Sequence, residues 1–183
     1  MLSKGIDREI KPIEALEIAQ KTGELSAAGF RFALVVARFN HTLTDALAQS
    51  AVGALQACGA RAEAIELFRV PGAYEIPVTV ERVLQDQSID AVIALGVVVE
   101  GETQHAQMII ETTGQSLLDQ SIKHKRPIIN EIVGARTWEQ AEVRCLREQD
   151  SRGWYAGLAA VEMVQLLRRI GLSLIHISEP TRP

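Results

Sequence analysis

The stretch DAVIALGVVVEGETQH, Asp90 to His105, changes character at Glu100. Ala91 to Val99 is apolar on every side, as a strand covered on both sheet faces requires. Glu100-Gly101-Glu102-Thr103-Gln104 is polar and carries a glycine, and a helical pattern follows from about Gln104 to His124. A doubly buried strand running through a short polar loop into a long helix is half of a βαβ unit, so the sheet is expected to be parallel.

The same unit recurs on both sides. FRFALVVARF (Phe30–Phe39), RAEAIELFRV (Arg61–Val70) and RPIINEIV (Arg126–Val133) read as the other strands. Between them stand helical patterns. Leu43, Leu47, Ala51, Leu55 and Cys58 are spaced for one face and stopped by Gly59. Ile76, Val80, Val83 and Leu84 point inward from a helix over Tyr74–Gln85. Met108, Ile109, Leu117 and Leu118 form the inner face of the long helix. Thr137 is placed to cap WEQAEVRCL, and a last helix, WYAGLAAVEMVQLLRRI, is expected to stop at Gly171. The fold class is therefore α/β, a three-layer α/β/α sandwich on a four-stranded parallel sheet. Residues 1–28 form a polar extension that could add an edge strand, and 29–171 the domain. Residues 172–183, LSLIHISEPTRP, resemble the translation of a transposase-type sequencing adapter and are expected to be foreign to the fold.

Composition narrows the function classes. At 183 residues, 47% hydrophobic and 23% charged, the chain can bury a core, which argues against disorder. Its formal net charge of −4 supplies no basic footprint, so neither nucleic acid nor a membrane surface is an expected partner. The polar start, without an apolar signal core, makes cytoplasmic residence the expectation. Cys58 and Cys145 lack any ligand spacing and read as buried thiols; no metal is expected.

Parallel sheets bind ligands beyond the carboxyl ends of their strands. The first such loop, ARFNHTLTD, has no glycine, which disfavours Walker, Rossmann and flavodoxin-type phosphate loops and an electron carrier built on them. It offers Phe39, either a core residue or a stacking platform, and Asn40. The second loop, VPGAYEIP, is stiffened by Pro71 and Pro77 and turned at Gly72, with Glu75 either a helix-start carboxylate or a ligand contact. The third brings Gly101 and Thr103 to a helix N-terminus suited to an anion, with His105 able to exchange a proton and Glu100 and Glu102 opposing the anion. Arg144, on the helix after the last strand, alone reads as a solvated side chain.

Taken together, LVVARFN (Leu34–Asn40), RVPGAYEIP (Arg69–Pro77), DAVIALGVVVEGETQH (Asp90–His105), TWEQAEVR (Thr137–Arg144) and RG…AGLAAVEM (Arg152–Met163) resemble the lumazine synthase family, over about Phe30 to Arg169. The resemblance implies a flavodoxin-like fold and a transferase of riboflavin biosynthesis without cofactor. The reaction would condense 5-amino-6-ribitylaminouracil with 3,4-dihydroxy-2-butanone 4-phosphate, giving 6,7-dimethyl-8-ribityllumazine, phosphate and water. It also implies a homo-oligomer, a pentamer or a sixty-subunit shell, with sites between subunits. Carried over by position, Phe39 stacks on the pyrimidine, Ala73, Tyr74 and Glu75 hold the ribityl chain, and Val98 and Val99 meet the pyrimidine edge. Gly101, Glu102 and Thr103 bind phosphate, His105 transfers protons, and Arg144 reaches the phosphate from a neighbouring subunit.

The chain departs from the family pattern in places. Glu100 stands where arginine is usual, Ala106 where an aromatic is usual, and Asn130, near the end of the fourth strand, where a neighbour-facing Phe is common. The alternative reading is a non-catalytic paralogue that binds a flavin or lumazine or forms a shell.

Overall fold

The computed structural model describes residues 25–101 and 104–178. The chain runs β1 (Phe32–Ala37), α1 (His41–Ala57), β2 (Ile65–Val70), α2 (Ile76–Val83), β3 (Ala91–Val99), α3 (His105–His124), β4 (Ile128–Ala135), α4 (Trp138–Cys145) and α5 (Arg152–Ser178). Every strand pair is parallel and the order is β2-β1-β3-β4. The three-layer α/β/α arrangement expected from the sequence is the one observed.

Alternation along β1 divides the core. Phe32, Leu34 and Val36 pack on one face with Leu43, Leu47 and Leu55 of α1, Ala141 and Cys145 of α4, and Val161 of α5. Ala33, Val35 and Ala37 pack on the other with Ile76 and Val80 of α2 and Leu117 of α3. Interior strands β1 and β3 are apolar on both faces because helices cover both. At the end of the order, β2 is only half-buried. The packed body begins before residue 29: Leu25 and Ala27 are buried, and the Ala27 N–H donates to Cys58 O at 2.8 Å.

Helix ends follow the chemistry of their residues. Gly59 takes φ +90° past the end of α1, a conformation costly to residues with a Cβ. Thr137 Oγ1 accepts from Gln140 N at 3.3 Å and caps α4 as expected. On α5, Gly153 and Gly157 let two helix backbones touch. A Cβ on Gly153 would fall 2.2 Å from Leu47 O, and one on Gly157 2.7 Å from Ala51 O.

Several boundaries differ from expectation. Ala73–Glu75 is a single 3₁₀ turn, and α2 starts at Ile76 with Pro77 in its first turn, where a missing N–H costs nothing. Met108 and Leu118 are exposed, at 43% and 55%, because the inner stripe of α3 is centred on Ala106, Thr113 and Leu117. The last helix does not stop at Gly171 but continues to Ser178, since one helical glycine costs only about 1 kcal/mol. The N-terminal extension up to residue 24, with its edge-strand expectation, and residues 179–183 lie outside the described residues. No helix among the described residues is long and apolar enough to cross a membrane.

Candidate active site

The strand order reverses between β1 and β3, so the loops leaving their carboxyl ends diverge and open a crevice. A cavity of about 510 Å³ lies there. Phe39 and Asn40 contribute from the loop after β1, Gly72 to Glu75 from the loop after β2, and Val97 to Val99 from the end of β3. Gly101, His105, Ala106 and Ile109 add the start of α3, and Trp138 adds the start of α4.

Main-chain bonds lace these loops. Arg38 N donates to Val70 O at 2.8 Å, and Phe39 N donates to Pro71 O at 3.0 Å. Asn40 takes the left-handed conformation, φ 58°, and its Nδ2 donates to Val97 O at 3.0 Å. Asparagine tolerates that backbone better than most residues. The result leaves Phe39 71% exposed at the rim, so of its two readings the core one is excluded. Glu75 Oε2 accepts from Gly72 N at 2.9 Å, and the residue also lines the cavity. Gly96, behind the turn, lets Ala73 approach the sheet, since an added Cβ would meet Ala73 Cβ at 3.3 Å.

The sequence candidates Phe39, Ala73, Tyr74, Glu75, Val98, Val99, Gly101 and His105 therefore share one cavity. Glu102 and Thr103 lie outside the described residues. Arg144 and Asn130 do not line this cavity. Arg144 is exposed on α4, its Nη1 donating to Gly134 O at 2.9 Å. Asn130 lies early in β4 rather than near its end, because β4 extends to Ala135 through its pairing with Val99. Its Oδ1 accepts from Ile132 N at 3.1 Å. Among the described lining residues there is a carboxylate, Glu75, and no lysine or arginine. Trp138 was not among the sequence candidates; its position just past the carboxyl end of β4 is the signal that marks it.

Behind α4 and α5, Glu131 is buried and receives Arg152 Nε at 2.6 Å and Nη2 at 3.1 Å. Burial holds the Glu131 carboxyl above the usual range although Arg152 pulls the other way, and the same hydrogen bond raises Arg152. Burial, reinforced by Glu131, pushes the Cys145 thiol up to about 11, so it is an inert core group. Among the described residues, no three His, Cys, Asp or Glu side chains gather to hold a metal ion.

Residues 29–168 match the family model described as 6,7-dimethyl-8-ribityllumazine synthase. A protein of that name from Aquifex aeolicus (strain VF5) is 39% identical over 148 residues, covering 81% of this chain and 96% of the relative. Those from Syntrophus aciditrophicus (strain SB) and Chlorobium chlorochromatii (strain CaD3) are each 35% identical, covering 81% and 85% of this chain and 96% and 100% of the relatives. With its parallel sheet, its laced crevice and this similarity along most of its length, the chain belongs to the 6,7-dimethyl-8-ribityllumazine synthase family.

Proposed function

We propose that this protein makes 6,7-dimethyl-8-ribityllumazine for riboflavin biosynthesis by holding 5-amino-6-ribitylaminouracil and 3,4-dihydroxy-2-butanone 4-phosphate together in the crevice at the end of β1 and β3. The observation that carries the reading is the convergence of Phe39, the Ala73–Glu75 turn, Val98, Val99 and His105 on one cavity. Phe39 offers a flat face to the pyrimidine, the main chain at Val98 and Val99 meets its edge, and the Ala73–Glu75 turn takes the ribityl hydroxyls. The 5-amino group attacks the ketone and water leaves as the imine forms. Phosphate departs in the following elimination, which leaves a carbonyl after tautomerisation; the ribitylamino nitrogen adds to that carbonyl, and loss of a second water closes the ring. His105, at the first turn of α3, relays the protons these steps release and consume. Alignment of two bound substrates supplies much of the rate, on the order of 7–11 kcal/mol in favourable systems.

Phosphate is assigned to Gly101, Glu102 and Thr103 at the start of α3. Its counter-charge is assigned to Arg144 of a neighbouring copy, with Asn130 of that same copy presented to the cavity. The absence of a lysine or arginine among the described lining residues, and the exposure of Arg144 outside its own cavity, support this. Exposed Val78, Leu118 and Ile122 supply apolar surface for contacts between copies. The form proposed is a cytoplasmic homo-oligomer, a pentamer or a sixty-subunit shell, which light scattering distinguishes.

Steady-state kinetics test the roles. His105→Ala should lower kcat by about 10²-fold or more without abolishing turnover. Arg144→Ala should raise KM for the phosphorylated ketone and leave that for the pyrimidine near the parent value. Unchanged kinetics in both variants would overturn the assignment.

A further inference from the structure

We propose that Trp138 is a second aromatic wall of the substrate cavity and sets its preference for the flat pyrimidine and its bicyclic product. The proposal rests on the site reading above, in which that heterocycle lies on Phe39. Trp138 opens α4 directly after the Thr137 cap, just beyond Ala135, which pairs with Val99 at the end of β3. It lines the same cavity as Phe39, His105 and Ala106 and is 40% exposed.

Packing alone does not require an indole here. Down the same helix stripe, one and two turns on, the buried residues are Ala141 and Cys145, both small. The stripe thus ends in its largest side chain at the point where it leaves the core and meets the cavity. The one polar atom of the indole is already satisfied, since Nε1–H donates to Glu142 Oε1 at 2.9 Å within the helix. That bond orients the ring and leaves only its carbon surface for the cavity. An aromatic ring fixed in this way is suited to a flat heterocycle, for which stacking is insensitive to hydrogen-bond pattern. It has nothing to offer a small phosphorylated ketone, so its effect should separate the two substrates.

The test measures equilibrium binding of 6,7-dimethyl-8-ribityllumazine, and KM for each substrate, in Trp138→Leu, Trp138→Phe and Phe39→Ala. Trp138→Leu should raise the product Kd about 5- to 150-fold, the span of losing one stacking ring, and leave the ketone KM within about twofold. Trp138→Phe should recover most of the affinity, which a role in apolar packing alone would not require. Normal product binding in Trp138→Leu, with loss in Phe39→Ala, overturns the role of Trp138 and leaves the site reading intact. Normal binding in both overturns the two together. Should Trp138→Leu not fold, Trp154→Phe leaves Trp138 as the sole tryptophan of the two in the chain. Titration with lumazine should then quench its emission further than that of Trp154 in the reciprocal Trp138→Phe protein; equal or no quenching overturns the proposal.

Discussion

Replacing Gly153 by alanine isolates a packing cost from a helix-propensity gain, because α5 contains its own control. Alanine is about 1 kcal/mol better than glycine inside a helix, so propensity alone favours the change. At Gly153, however, the new methyl would lie 2.2 Å from Leu47 O and 2.8 Å from Leu47 C and Cα. Non-bonded carbon contacts settle near roughly 3.5 Å, so α5 would have to move about 1 Å away from α1. The obstacle is main chain and cannot rotate aside. Overpacking in such places costs about 1–3 kcal/mol and occasionally more, and this contact belongs at the upper end. Subtracting the propensity gain leaves a net loss of about 2 kcal/mol, equivalent to roughly 4–8 °C in Tm for a chain of this size. Gly157, with contacts at 2.7 Å to Ala51 O and Ala54 Cβ, should lose about 1 kcal/mol. Gly171 lies in the same helix with nothing within 4 Å of an added Cβ, so Gly171→Ala should gain about 0.5–1 kcal/mol. Urea unfolding of the three variants should rank them Gly153→Ala, Gly157→Ala, parent, Gly171→Ala in rising midpoint. A Gly153→Ala protein as stable as Gly171→Ala would refute the close approach of α1 and α5.

Two further perturbations probe the supports of the site. Arg152→Met leaves Glu131 buried without its partner and should cost about 1–3 kcal/mol at neutral pH, reduced from a fully buried pair because Arg152 is 54% exposed. Glu131 already titrates above the usual range, so its charged form costs stability above that pKa; the Arg152→Met defect, measured by urea midpoints, should shrink as pH falls through it, and Glu131→Gln should rescue the variant at neutral pH. Asn40→Gly keeps the left-handed backbone and loses the bond to Val97 O, costing about 0.5–1.5 kcal/mol, whereas Asn40→Ala adds roughly 1–2 kcal/mol of backbone strain; equal urea midpoints would contradict the strain argument.

The elements whose residues decide locally were legible in the sequence. Continuous apolar runs gave β1 and β3, Gly59 and Thr137 marked helix ends, and the loops after β1, β2 and β3 carried Phe39, Glu75 and His105 to the carboxyl edge. What depends on distant contacts was not legible. Leu117 and Leu118 are equally apolar neighbours, and only the seat of α3 on the sheet decides that Leu117 is buried and Leu118 is not. Gly153 looks like a helix-start glycine until α1 is placed against it. Asn130 reads as a strand-end residue until pairing carries β4 on to Ala135. Trp138 is one more helical aromatic until the start of α4 is set beside the end of β3.

The bonds from Arg38 N, Phe39 N and Asn40 Nδ2 to the end of β2, the loop after it and β3 have a consequence for binding entropy. Fixing one residue's backbone costs about 1–2 kcal/mol, and on this wall that loss is incurred when the sheet forms rather than when a substrate arrives. A ligand meeting Phe39 therefore has only its own freedom, and that of a few side chains, to surrender. Weak contacts on a flat ring can then register as affinity, which a loop left free in solution would largely consume in its own ordering.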